Sequence, residues 1–138
     1  LTVRPTDSLR EAAERMAQAG VGSVIVEQDR RPVAILTDRD LALRALCDGL
    51  DVGVVRVEDV MGHAPITLFE GEPLQVAAQT IRAARVRRLP VVDVEGMLVG
   101  VVSADDLLLH AAGRLSRLCK VIQKQAPTRN GEHSHARD

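Results

Sequence analysis

Aromatic residues are nearly absent from this 138-residue chain: Phe69 is the single one, and there is no Trp or Tyr. Base stacking on aromatic platforms, a common grip on single-stranded nucleic acid, is thereby excluded as a main binding mode. A dominant charge is missing too. Eighteen Lys and Arg against nineteen Asp and Glu leave a formal net charge of −1, whereas a general nucleic-acid binder carries a basic excess. Cys47 and Cys119 lie 72 residues apart, with neither C-x-x-C nor metal-ligand spacing. They read as buried or idle thiols of a reducing cytosol, with an inter-subunit disulfide as the lesser alternative. No apolar run approaches the roughly 20 residues of a membrane span, and no signal peptide is evident, so a cytoplasmic protein with no membrane partner is expected. P-loop, Gly-x-Gly-x-x-Gly and Ser-His-Asp patterns are all lacking, and no nucleophile is paired with a base. The expectation is a protein that is not an enzyme. The chain begins at Leu1 rather than Met, and residues ahead of it are expected to have been lost or left out.

What is present is a duplication. The stretch Pro32-Val33-Ala34-Ile35-Leu36-Thr37-Asp38-Arg39-Asp40 is echoed by Leu98-Val99-Gly100-Val101-Val102-Ser103-Ala104-Asp105-Asp106. Each is a short apolar run, a hydroxyl residue, and an aspartate three residues on, followed by Leu and Ala. That pattern predicts a buried strand turning into a helix, with the hydroxyl at the turn. Helix starts expose unpaired N–H groups and the positive end of a dipole, which suits an anion. An aspartate one turn further in can accept two hydrogen bonds from a vicinal diol. Phosphate donors beside a diol acceptor match a nucleotide.

The rest of the chain keeps the same register. Thr2 and Thr67, Leu9 and Leu74, Met16 and Ile81, and Val21 and Val86 stand 65 apart, whereas Thr37 and Ser103, and Asp40 and Asp106, stand 66 apart. The second copy therefore carries one extra residue, placed most simply in its hairpin turn. Each copy predicts β-α-β-β-α. In the first, Ser8 and Glu11 make a capping box, Leu9, Ala12, Ala13 and Met16 recur at helical spacing, and Gly20 ends the helix. Val21–Val26 reads as a strand, 27–31 as a polar turn, and Val33–Leu36 as the returning strand. Val57–Met61 reads as a short helical turn in the connector. In the second copy Ile66-Thr67-Leu68 matches the opening strand, and Pro73 stands near a helix N-terminus. Each copy alone is short of core, so the two are expected to pack about a pseudo-two-fold axis in an α/β (α+β) fold. The last helix continues through Leu107, Leu108, His110, Ala111, Leu115, Leu118, Val121 and Ile122 to about Lys124, longer than its first-copy counterpart, leaving surface for a partner. Residues 126–138 have no apolar run and are expected to be disordered.

The ordered set of motifs resembles a cystathionine-β-synthase (CBS) domain pair, or Bateman module. In the first copy it is carried by Gly20-Val21-Gly22-Ser23-Val24-Ile25-Val26 and Ile35-Leu36-Thr37-Asp38-Arg39-Asp40. In the second it is carried by Val60-Met61, Val86-Arg87-Arg88-Leu89-Pro90-Val91-Val92-Asp93 and Gly100-Val101-Val102-Ser103-Ala104-Asp105-Asp106. It covers residues 1 to about 112, and is similar to small stand-alone bacterial proteins made of a CBS pair and little else. The implied division is a first motif over 1–50, a connector over 51–65, a second motif over 66–112, a helix extension over 113–125 and the tail over 126–138. The resemblance implies two sheets packed together with two clefts between them. AMP, ADP, ATP, S-adenosylmethionine or NAD(H) would bind there as a regulatory ligand, Mg²⁺ could arrive with ATP, and no cofactor is required. It also implies a homodimer that regulates an unidentified protein and does no chemistry itself.

Site residues follow from both lines, each with a bland reading beside it. Thr37 and Asp40, with Ser103 and Asp106, would hold phosphate or ribose and the ribose diol. The bland reading makes the hydroxyl an N-cap and the aspartate a partner of the helix dipole, each effect worth about 1 kcal/mol or less. Arg87 and Arg88 would clamp phosphate through guanidinium forks, or else form a solvated basic turn. Their first-copy equivalents, Gly22 and Ser23, are uncharged, so the two clefts cannot be equivalent. Thr2, Thr67, Val21, Gly22, Val86 and Leu89 would line base pockets by resemblance, or else be ordinary core and strand ends. The carboxylates of Asp38, Asp40, Asp105 and Asp106 have no His or Cys nearby in sequence to complete a metal site, and His133 and His135 lie in the tail, so no metal is expected.

Overall fold

A computed structural model describes residues 1–125; the expectation for 126–138 lies outside the described residues. The chain divides into two compact units, Leu1–Ala104 and the portion that starts at Asp105. Both repeats' sheets lie in the first unit.

The first repeat runs β1 (Thr2–Val3), α1 (Leu9–Ala19), β2 (Ser23–Gln28), β3 (Arg31–Thr37) and α2 (Asp38–Cys47). Helix α1 starts where the sequence says it should. The Ser8 hydroxyl accepts from the Glu11 N–H at 3.2 Å, and the Glu11 carboxylate accepts from the Ser8 N–H at 2.7 Å, so two orphan donors of the first turn are satisfied reciprocally. Leu9, Ala12 and Met16 form its buried stripe, and Gly20 closes it in the left-handed region, with φ of 63°. The second repeat runs β4 (Leu68–Phe69), α3 (Leu74–Ala84), β5 (Arg88–Val92), β6 (Leu98–Ser103) and the start of α4 (Ala104–Gln125). Here Pro73 is the N-cap and makes no side-chain bond, and Arg85 takes the left-handed position at φ 53°.

Each repeat builds one three-stranded sheet, β1-β2-β3 or β4-β5-β6, with a parallel first pair and an antiparallel second pair. The registers match down to a bulge. Val26 pairs with Ala34 and Glu27 with Pro32, skipping Val33; Val91 pairs with Gly100 and Val92 with Leu98, skipping Val99. The copies diverge at the turns. Gln28 pairs with Arg31 across Asp29-Arg30, both at positive φ, a two-residue hairpin narrower than the polar turn expected over 27–31. The other hairpin closes with the Asp93 N–H donating to the Met97 carbonyl at 3.0 Å, over Val94-Glu95-Gly96. The additional residue sits in the turn, as the spacing predicts.

Strand β4 begins one residue later than the match to β1 implies. The Ile25 N–H donates to the Leu1 carbonyl at 3.3 Å. The equivalent of Ile25 is Pro90, which has no N–H to offer, so Ile66 and Thr67 stay outside the ladder.

In the first repeat Val3, Leu9, Ala12, Met16, Val24, Val26, Ala34, Leu36 and Leu41 pack into one core, which the connector completes with Val57. The predicted turn at 57–61 is a 3-10 turn over Val57–Asp59. In the second repeat Leu68, Ala77, Leu89, Pro90 and Val92 are buried. Helix α4 exposes Leu108, Leu109 and Leu115. Cys47 and Cys119 are free and exposed; the buried alternative drops out because both lie on the solvent sides of their helices. Among the described residues no helix is long and apolar enough to cross a membrane.

Candidate ligand-binding site

The two strand-to-helix corners are built alike. The Asp38 N–H donates to the Gly22 carbonyl at 3.0 Å, and the Ala104 N–H donates to the Arg87 carbonyl at 2.9 Å. In both repeats, then, the first residue of the helix is tied to the residue just ahead of the middle strand. Thr37 is the N-cap of α2. Its hydroxyl accepts from the Asp40 N–H at 3.1 Å, while Asp40 Oδ2 accepts from the Thr37 N–H at 2.9 Å and from its hydroxyl at 2.7 Å. The bland reading of this pair thus describes its resting bonds, and Asp40 Oδ2 is already engaged. Ser103 ends β6 opposite Arg88, and Asp106 stands in the first turn of α4, where Asp105 is its acidic neighbour.

The repeats meet through equivalent residues. Arg88 Nη1 donates to the Ser23 hydroxyl, and 23 plus 65 is 88, so each residue faces its own counterpart. A cleft of about 140 Å³ opens beside this contact, lined by Ser23 and Arg88, Ile25 and Pro90, and Ile35 and Val101, with Leu1, Val21 and Val24. The first three are equivalent pairs, which puts the pseudo-two-fold axis through this cleft. Its walls are aliphatic and its one charged lining residue is Arg88, from the second repeat. Ligand pockets for small molecules usually measure about 300–1,000 Å³, so the cleft in this resting arrangement is smaller than a nucleoside site.

Of the residues singled out from sequence, Val21 and Arg88 are brought to this cleft, and Thr37 and Asp40 are brought to each other. Gly22 lies against the Asp38 carboxylate, which would stand 3.0 Å from a Cβ placed there. Thr2 is a strand residue pairing with Ile25, and Thr67 lies just ahead of β4. Val86 follows the C-terminal turn of α3, its N–H donating to the Ile81 carbonyl at 3.2 Å. Leu89 is 1% exposed and packs in the interior of the second repeat. The sequence places Ser23 only as the uncharged equivalent of Arg88, and Asp38 only among carboxylates without metal partners; it assigns neither to the site. The further signal for Asp38 is the glycine at position 22, which leaves room for a carboxylate. Among the described residues no group of three His, Cys, Asp or Glu side chains is placed to hold a metal ion.

The CBS domain family matches residues 1–46 and 57–113, one match per repeat, the second taking in the turn at 57–61. The chain belongs to the CBS domain family. The CBS domain-containing protein YhcV of Bacillus subtilis is 37% identical over 109 residues, 79% of this chain and 76% of that protein. Uncharacterized protein MK0525 of Methanopyrus kandleri is 33% identical over 109 residues, 78% of this chain, and this CBS pair spans only 56% of its length. Among solved structures, the CBS domain protein PAE2072 from Pyrobaculum aerophilum complexed with AMP is similar at a TM-score of 0.70 and 32% identity, covering 82% of this chain and 91% of that one. The CBS domain pair of protein MJ0100, in complex with 5-methylthioadenosine and S-adenosyl-L-methionine, is similar at 0.72 and 25% identity, covering 83% and 89%.

Proposed function

We propose that this CBS pair is a regulatory module that binds an adenosine ligand, with AMP, ADP, ATP or an S-adenosyl compound as the class. The observation that carries the proposal is the inter-repeat cleft, in which a second-repeat guanidinium reaches a first-repeat hydroxyl. Aliphatic walls suit adenine held by packing and backbone hydrogen bonds, which accords with a chain almost devoid of aromatics. Arg88 would turn from Ser23 to the phosphate, and the Asp40 carboxylate, exchanging its bonds to Thr37, would take the ribose diol. Ser103 and Asp106 would do the same for a second ligand, and Arg87 would assist the phosphate. Mg²⁺ would enter only with ATP. The ligand shifts the relation of the two repeats through its differential affinity for two arrangements. A homodimer in the cytosol, read by a regulated partner, is the setting proposed. The module itself supplies no chemistry.

Titration calorimetry with AMP, ADP, ATP, S-adenosylmethionine and NADH tests the reading. Saturable heat with at least one of them is expected, weakened by Asp40→Ala. Flat titrations with all five would reject it. A second reading, a scaffold with unused clefts, draws on the exposed Leu108, Leu109 and Leu115 of α4. It expects truncation after Gly113 to dissolve oligomers while titrations stay flat.

A further inference from the structure

The first sheet has a second recess at its hairpin end, away from the strand-to-helix corners. It measures about 450 Å³, within the range usual for small-molecule sites. Three segments wall it: 4–6 after β1, 27–30 at the β2–β3 turn, and Glu58 of the 3-10 turn. Hydrogen bonds to the backbone brace all three. The Glu58 N–H donates to the Pro5 carbonyl at 2.9 Å, and the Arg56 guanidinium donates to the Thr6 carbonyl at 3.4 Å. From the second repeat, the Leu98 N–H donates to the Arg30 carbonyl at 2.7 Å.

Five charged side chains line this recess: the guanidinium groups of Arg4 and Arg30, and the carboxylates of Glu27, Asp29 and Glu58. Among the described residues none of the five has an ion pair or a side-chain hydrogen bond, so their bonding capacity is unspent. The duplicated fold does not call for them. Arg4 stands where the second repeat has Phe69, and the half-buried Glu27 stands where it has Val92, which is 4% exposed. The turn carries a further mark. Asp29 and Arg30 have φ of 51° and 63°, a two-residue hairpin that selects Asn-Gly or Asp-Gly. Glycine would take the second position without steric cost, whereas arginine holds it under strain. Strain kept where glycine would relieve it points to function, and here it sets a guanidinium on the recess. The carboxylates do not converge on a metal: among the described residues no three such groups are placed to hold an ion. A cation bound here must spread its charge over several atoms.

We infer that this recess binds a free basic amino acid of the lysine and arginine class. Arg4 and Arg30 take the α-carboxylate, since guanidinium forks match carboxylate oxygens. Glu27, Asp29 and Glu58 take the α-ammonium and the side-chain cation. Three carboxylates against two guanidinium groups leave the lining with an excess negative charge, which complements a ligand of net positive charge. The site is separate from the inter-repeat cleft and needs no adenosine ligand. Its occupant bears on the one turn whose carbonyl is held by the second repeat.

The test titrates the full chain with L-lysine at constant ionic strength and follows backbone amide shifts. Saturable shifts are expected at Thr6, Gln28, Asp29 and Arg30. Arg30→Gly keeps the turn, because glycine suits its φ, and should weaken the response at least about tenfold. Glu27→Gln should weaken it as well. L-lysinamide, which lacks the carboxylate, should bind at least about tenfold more weakly than L-lysine. AMP should not displace L-lysine. The absence of saturable shifts would overturn the inference, as would a response that survives both substitutions. L-glutamate binding as tightly as L-lysine would refute the charge match, and displacement by AMP would place the ligand in the other cleft.

Discussion

Substituting Arg88 separates the phosphate from the nucleoside in a way no other change does. In the resting protein Arg88 Nη1 is held by the Ser23 hydroxyl, so a ligand phosphate must first draw it away. A hydrogen bond involving a charged group contributes about 1.5–3 kcal/mol, and the resting bond, from a guanidinium to a neutral hydroxyl, belongs at the low end while a bond to a phosphate anion belongs at the high end. The net gain from turning Arg88 onto a phosphate is then up to about 1.5 kcal/mol, or roughly 10-fold in affinity. Arg88→Ala should weaken AMP by that factor and leave adenosine unchanged. Ser23→Ala should act in the opposite direction. It releases the guanidinium at no cost to the ligand-bound state, so AMP should bind up to about 10-fold tighter. Calorimetry of both variants with AMP and adenosine gives the four numbers. Equal losses for AMP and adenosine in Arg88→Ala would mean that Arg88 shapes the cleft without touching phosphate. Weaker AMP binding in Ser23→Ala would refute the exchange itself.

Three further outcomes follow from local geometry. Arg85 holds the left-handed position that Gly20 fills in the first repeat, which costs a side-chain-bearing residue about 1–2 kcal/mol. After the entropy that glycine adds to the unfolded chain, Arg85→Gly should raise stability in urea melts by about 1 kcal/mol; an unchanged or lower midpoint would contradict this. Gly96→Ala should destabilise by about 1–2 kcal/mol, because Gly96 has φ of 81°; the Arg31 guanidinium, 2.6 Å from the added Cβ, can swing aside. The capping box sets a pH dependence. The Ser8 backbone N–H, and then the Ser8 hydroxyl, hold the Glu11 carboxyl below the usual glutamate range. With the folded value depressed, its contribution is complete above the unfolded value and is lost as pH falls through the folded one. Glu11→Gln should therefore flatten the acid limb of the stability profile, and an identical limb in both proteins would refute the assignment.

Much of this fold is written in local patterns. The Ser8–Glu11 box, the apolar stripe of α1, the Thr37 cap and the extra residue of the second hairpin each leave a mark within a few positions. Comparison of the copies then multiplies that information. What was illegible depends on what lies across the axis. Nothing near Arg88 in sequence says that its guanidinium crosses to the first repeat, since periodicity records which face a residue takes and not which counterpart it meets. Pro90, having no N–H to donate to the Ile66 carbonyl, trims β4, a pairing visible only once β1 and β2 are known to be parallel neighbours. Thr37 and Asp40 were legible as a pair but not in role, because the capping bonds and the ribose bonds would use the same carboxylate. Leu74 was expected to mirror Leu9, and the difference in their exposure comes from a connector whose contacts reach back 42 to 53 positions.

The meeting of Ser23 with Arg88 sets a limit on how alike the two halves can become. Had both copies kept arginine there, two guanidinium groups would face each other in the cleft, a repulsion of about 4 kcal/mol at 4 Å for an effective dielectric of 20. Had both kept serine, that point would hold no cation. A single positive charge on a symmetry axis requires that the symmetry be broken at that residue.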